Sequence, residues 1–201
     1  MKTITLKARI NSSLCIGCGN CAKMCPTLAI SMKDKKAVVD EGRCLACANC
    51  HQRCPVEAVT LEKLDKPFTV RAVIRDFERE AAEAMCIKAG FNPGQILCYC
   101  TATRAEEVAA AIIQGAKTPE EISLRTGLRM GCSVECIQPA LRMLEAADIT
   151  PTPPEGGWQW YGRTPVLQEI SQEVKMKYNH RGFYFDDDIA LFAEVVKSER
   201  R

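Results

Sequence analysis

The sequence predicts an α+β chain in three unequal parts, and three observations predict it. Two copies of one cysteine spacing fill the first 54 residues among short alternating strands. Capped helix patterns carrying a second cysteine set run from about residue 95 to 150, and a Pro/Gly-rich stretch then opens an aromatic-rich tail. Strands and helices that occupy separate stretches of chain point to α+β rather than to alternating βαβ units.

In the first part, Cys15, Cys18, Cys21 and Cys25 ahead of Pro26 recur as Cys44, Cys47, Cys50 and Cys54 ahead of Pro55, an offset of 29 residues. Residues 15–32 and 44–61 are therefore an internal repeat, which implies a pseudo-twofold module. Three thiolates at i, i+3 and i+6 on a tight loop wrap three corners of one iron-sulfur cubane, and the fourth iron is reached from elsewhere. In two-cluster arrangements the last cysteine of each run ligates the other cluster. That rule assigns Cys15, Cys18, Cys21 and Cys54 to one 4Fe-4S centre and Cys44, Cys47, Cys50 and Cys25 to a second. Structural zinc favours two pairs and has no use for a triplet followed by Cys-Pro. Disulfides are disfavoured because MKTITLKARI offers no secretory segment, so a cytoplasmic setting is expected.

The alternation Ile4, Leu6, Ala8, Ile10 predicts a strand, and Ala29–Met32, Ala37–Val39 and Val59–Leu61 predict its partners. Two small antiparallel hairpins are expected, with a helical turn after each Cys-Pro. Gly17 and Gly19, lying between ligands, let backbone N–H groups approach cluster sulfurs. Over residues 1–65 this resembles the bacterial-type 2x(4Fe-4S) ferredoxin. Seven Lys and three Arg face three Asp and three Glu there. Two oxidised clusters with their thiolates bring the sum near zero, which fits equally a module docked in a complex and lysines that merely offset cluster charge.

A helical connector is expected over 66–94. Its helix, Arg75–Ala89, places Cys86 as a buried thiol and ends at Gly90 with Pro93 beyond. The second cysteine set follows as Cys98, Cys100, Cys132 and Cys136, a CxC and a CxxxC. Thr103 with Glu106 predicts a capping box, Thr118 with Pro119 and Glu121 a second helix start that stops near Gly127, and a third helix follows Pro139. Roughly Gln95 to Ile149, placed within a 95–150 domain, resembles the small all-helical BFD-like domain named for the bacterioferritin-associated ferredoxin. Gly115-Ala116 and Thr126-Gly127 are turns of that family. The resemblance implies that Cys98, Cys100, Cys132 and Cys136 ligate a 2Fe-2S cluster. The usual second pair is CxxC, so this loop holds one extra residue, and zinc remains the competing occupant.

The last part, 151–201, begins with the linker Pro151–Gly157, after which eight of the twelve aromatics lie. So short a segment does not bury them in a core of its own. Trp158, Trp160 and Tyr161 are candidates for partner docking, with wrapping back over the cluster domains as the equal alternative. Asp186–Asp188 predict the N-cap and first turn of a helix over 189–198. His51 and His180 stand alone and imply no chemistry.

No GxGxxG after a strand, no P-loop, no Ser/His/Asp constellation, no transmembrane run and no basic stripe occur, so a flavin or nicotinamide site, a membrane span and nucleic-acid binding are not expected. Three electron carriers without a reaction centre make a relay. Together the two resemblances imply an iron-sulfur, electron-transferring subunit of a hetero-oligomeric oxidoreductase. Its partner would be an FAD-dependent dehydrogenase subunit of amino acid, opine or polyol-phosphate type. The alternatives are a free-standing mobile ferredoxin, or an iron- or metal-handling protein that docks on a ferritin-like partner.

Overall fold

A computed structural model describes residues 2–154 and 162–198. The N-terminal module is built on two antiparallel strand pairs. β1 (Lys2–Ile10) pairs with β4 (Val59–Val70), and β2 (Ile30–Lys33) pairs with β3 (Lys36–Val39). The alternation expected in β1 is visible in burial, since Ile4 and Ala8 are inside. Its partner is the strand farthest away in the module, in register from Ile10 opposite Val59 to Lys2 opposite Val70. Only β2–β3 is a hairpin, turned by Asp34 and Lys35, both with positive φ as a two-residue hairpin turn requires. The expected pair of hairpins is thus corrected to one hairpin and one closure, and β4 runs well beyond Val59–Leu61.

The helical turns also differ from expectation. α1 (Asn20–Met24) and α2 (Asn49–Gln52) precede Cys25-Pro26 and Cys54-Pro55 instead of following them. Proline disfavours helix at the residue before it, so each helix ends at the Cys-Pro step.

Between the two cysteine sets, a 3-10 turn at Asp76–Glu78 leads into α3 (Arg79–Lys88). β5 (Ile96–Cys98) and β6 (Thr103–Arg104) then form a short antiparallel pair ahead of α4 (Ala105–Ile113), α5 (Pro119–Thr126) and α6 (Ile137–Ala146). This part is therefore not all-helical. α4 starts one residue later than the Thr103–Glu106 box predicted: Thr103 sits in β6, its hydroxyl bonded to that of Thr101, and the Glu107 carboxylate accepts the Arg104 N–H. α5 starts as predicted, the Thr118 hydroxyl accepting the Glu121 N–H at 3.2 Å, and closes at Gly127 with φ 74°. Alanines 105, 109, 110 and 111 of α4 are fully buried, so α3, α5 and α6 approach its backbone closely, and Cys86 is enclosed in this core.

The tail folds back onto this core. Gln138 on α6 bonds the Gly162 carbonyl and the Thr164 N–H, and Asn92 donates to the carbonyls of Val196 and Ser198 at the end of α8 (Phe185–Lys197). Asp186–Asp188 occupy the first turn of α8, whose N-cap is Tyr184 rather than an aspartate. Against α8 lies α7 (Gln172–Asn179), with Lys175 to Asp186 at 2.7 Å. Trp158, Trp160 and Tyr161 lie outside the described residues.

Candidate metal centres

The 29-residue repeat is written into the backbone. Gly17 and Ala46, Gly19 and Ala48, and Leu28 and Glu57 are equivalent pairs, and all six residues have φ between 51° and 76°. Each loop thus takes the same left-handed steps between its cysteines. At Gly17 the step excludes a side chain, because a Cβ would stand 2.2 Å from the Lys35 carbonyl oxygen. Gly17→Ala is expected to cost at least about 2 kcal/mol through strain and clash together. The measurement is the denaturant midpoint, and an unchanged midpoint would contradict the clash.

These loops surround two cavities. Cys15, Cys18, Cys21 and Cys54 line one, and Cys25, Cys44, Cys47 and Cys50 line the other; each is small, about 20 Å³. Each cavity thus collects three cysteines of one run and the last of the other. Apolar neighbours such as Ile10 and Val59 in the first, and Ile30 and Leu61 in the second, complete the walls.

Backbone N–H groups are aimed at the sulfurs. Ala29 donates to Cys25 Sγ and its repeat-mate Ala58 to Cys54 Sγ, both at 3.2 Å, and Ala8 of β1 donates to Cys44 Sγ at 3.4 Å. N–H groups of Ala37 and Gly17 lower the pKa of Cys15. At Cys47 and Cys50 burial dominates and pushes the thiols up to about 11 and about 12. Thiols of this kind ionise only when a cation takes the place of the proton, so cluster loading releases protons.

The second set gathers at one end of the helical part. Cys98 closes β5 and Cys136 is the N-cap of α6; both are buried, whereas Cys100 and Cys132 are exposed. The sulfurs pair, Cys98 with Cys136 and Cys100 with Cys132. Cys98 is held down to about 5, chiefly by the hydrogen bond from Cys136, and Cys136 is correspondingly raised. N–H groups of Glu135 and Val134 lower Cys132, so the CxxxC loop wraps its own sulfur. Gly131 makes room for the pairing, because a Cβ there would lie 2.6 Å from Cys100 Sγ. Gly131→Ala is expected to abolish the 2Fe-2S signal in electron paramagnetic resonance while leaving the 4Fe-4S signals; retention of all three would refute the requirement.

Behind the site lies a pair that no motif announced. Arg129, 1% exposed, donates from Nη1 to Glu120 Oε1 at 2.8 Å, and Glu120 is equally enclosed. Arg129 Nε is buried with no acceptor among the described protein atoms, and its positive charge opposes the rise that Cys98 and burial impose on the pKa of Cys136. A buried cation with an unused donor suits a site that takes an anionic thiolate-ligated cluster. Among the described residues no three His, Cys, Asp or Glu side chains converge on a single-ion position. What each set of four N-terminal cysteines shares is a cavity.

Cavities walled by four sulfurs each, N–H groups directed at those sulfurs, and a separate four-thiol site define an iron-sulfur electron carrier. Comparison with protein families agrees: residues 8–61 match the family described as 4Fe-4S dicluster domain, and residues 96–146 match the BFD-like [2Fe-2S] binding domain. The chain is a fusion of these two modules and takes two 4Fe-4S clusters and one 2Fe-2S cluster. A search of curated proteins found no match. Among the described residues no helix is long and apolar enough to cross a membrane.

Proposed function

We propose that this chain is the electron-transferring subunit of an oxidoreductase complex, relaying single electrons between an FAD-containing dehydrogenase subunit and an acceptor. In this reading Cys15, Cys18, Cys21 and Cys54 ligate one 4Fe-4S cluster, Cys44, Cys47, Cys50 and Cys25 the other, and Cys98, Cys100, Cys132 and Cys136 the 2Fe-2S cluster. The observation that carries it is the presence of three thiol sites in one chain, two of them lining cavities that each combine both repeats.

The clusters supply one-electron storage when bound. The chain's residues do the rest: apolar walls restrict water, the N–H groups of Ala29, Ala58 and Ala8 stabilise thiolate charge, and Arg129 holds a fixed positive charge behind Cys136. Docking is supported by the tail, where Met176, Tyr184 and Leu191 are 60–73% exposed on α7 and α8 and beside them. Exposed apolar side chains grouped on one segment are typical of a surface that a partner covers. The substrate class of that partner, an amino acid, an opine or a polyol phosphate, follows from the family resemblances alone.

The test is anaerobic isolation of the tagged chain from its own cells, with native mass and co-eluting chains recorded. Co-elution with a flavoprotein is expected. A lone species of monomer mass, or a complex with a ferritin, would overturn the subunit reading.

A further inference from the structure

The two repeats of the dicluster module are alike in backbone and unlike in surroundings. Ile16 and Leu45 are equivalent positions, yet Ile16 is 64% exposed and Leu45 only 4%. Leu45 and Ala46 pack with Leu124 and Met130 of the 2Fe-2S module, whereas Cys18 in the first loop is open to solvent. Asn20 and Asn49 are a second equivalent pair, each the first residue of its short helix. Asn20 is exposed, but Asn49 is buried and its Nδ2 donates to Ser133 Oγ at 2.6 Å.

That hydrogen bond joins the two ligand loops directly. Asn49 precedes Cys50, and Ser133 follows Cys132. Ser133 also donates to the Arg129 carbonyl at 2.9 Å and has φ 64°, an unfavourable conformation for serine that both bonds help to hold. It belongs to the CxxxC loop that is one residue longer than CxxC. Lys2 of β1 and Glu107 of α4, mostly buried and 3.1 Å apart, also join the two modules.

We propose that the relay has a fixed order, resting on the cluster reading above. The cluster held by Cys25, Cys44, Cys47 and Cys50 is the middle station, joined to the 2Fe-2S site across the Asn49–Ser133 bond. The cluster held by Cys15, Cys18, Cys21 and Cys54 is the terminal one. In each step one electron would pass between a 2Fe-2S centre held by Cys98, Cys100, Cys132 and Cys136 and a 4Fe-4S centre held by Cys25, Cys44, Cys47 and Cys50, the donor being oxidised as the acceptor is reduced. No bond forms or breaks, and neither Asn49 nor Ser133 changes protonation. The external reductant is a reduced flavin in the complex and dithionite in the test.

The test uses the full chain, loaded with clusters and kept anaerobic. Iron and sulfide content and Mössbauer spectra come first, and absence of clusters there would defeat the cofactor reading and not the order. Microwave saturation of the 2Fe-2S signal is then followed as dithionite reduces the remaining centres. Cys18→Ala is expected to keep the relaxation enhancement that a neighbouring reduced 4Fe-4S centre causes, and Cys47→Ala to lose it. The reverse pattern overturns the order. Because a cysteine variant can fail to fold, Ser133→Ala and Asn20→Ala are compared with every cysteine in place. Ser133→Ala is expected to slow electron exchange between the 2Fe-2S and 4Fe-4S centres several-fold at unchanged iron content, while Asn20→Ala leaves it unaltered. Equal rates in the two variants overturn the bridge.

Discussion

Arg129→Met is expected to destabilise the protein by about 3–5 kcal/mol, because it strands the Glu120 carboxylate in the core without its cation. Both side chains are almost wholly enclosed, and Glu120 lies in the first turn of α5 between helices. Such a loss is a large fraction of the stability of a domain this size, so urea unfolding of the 2Fe-2S module should shift to a much lower midpoint. Removing both charges separates two roles. Arg129→Met combined with Glu120→Leu should recover most of the stability, since a buried pair replaced by apolar residues is often neutral. The reduction potential of the 2Fe-2S centre should nevertheless fall, since a positive charge close to Cys136 favours the more negative reduced cluster. A double variant with wild-type potential would show that Arg129 serves folding alone.

Cys25→Ala is expected to remove the cluster of the second cysteine run and not that of its own. The prediction follows from the cavity that Cys25 shares with Cys44, Cys47 and Cys50. It is testable without resolving the two centres spectroscopically. Cys25→Ala and Cys47→Ala should each lose about four iron atoms, and the double variant no more than either single one, because both strike the same cubane. Cys25→Ala with Cys18→Ala should lose about eight. If the pairing ran within each run, the additivity would be the other way round. Because each cluster would join both halves of the repeat, cluster loss should also lower the thermal midpoint of the whole N-terminal module.

What was legible in the sequence was what the chain states locally. The cysteine repeat, the Thr118-Pro119 helix start and the Gly127 stop are short-range signals, and the structure places α5 where they say. Val59–Leu61 is among the partners the sequence offers the first strand; which of them pairs with it is not legible, because strand pairing is decided by packing across more than fifty residues and not by periodicity. The start of α4 moved by one residue because Thr103 is held in β6 and its hydroxyl is bonded to Thr101, a contact with no signature in the capping pattern. No motif marks Arg129 and Glu120 in the sequence; only the enclosing helices make them an interior pair. The longer Cys132–Cys136 spacing is visible in the sequence, but the bond that Ser133 in that loop accepts from Asn49 spans 84 residues and is not.

The closure of β1 onto β4 also sets a timetable for biosynthesis. Lys2 faces Val70 and Ile10 faces Val59, so β1 leaves the ribosome well before the strand it pairs with. The eight thiols between them emerge in that interval, before the sheet that backs them exists. Loop closure over such a separation is slow compared with local helix formation. Until residue 70 clears the exit tunnel, those eight thiols stand without the β1–β4 sheet that backs them in the folded module.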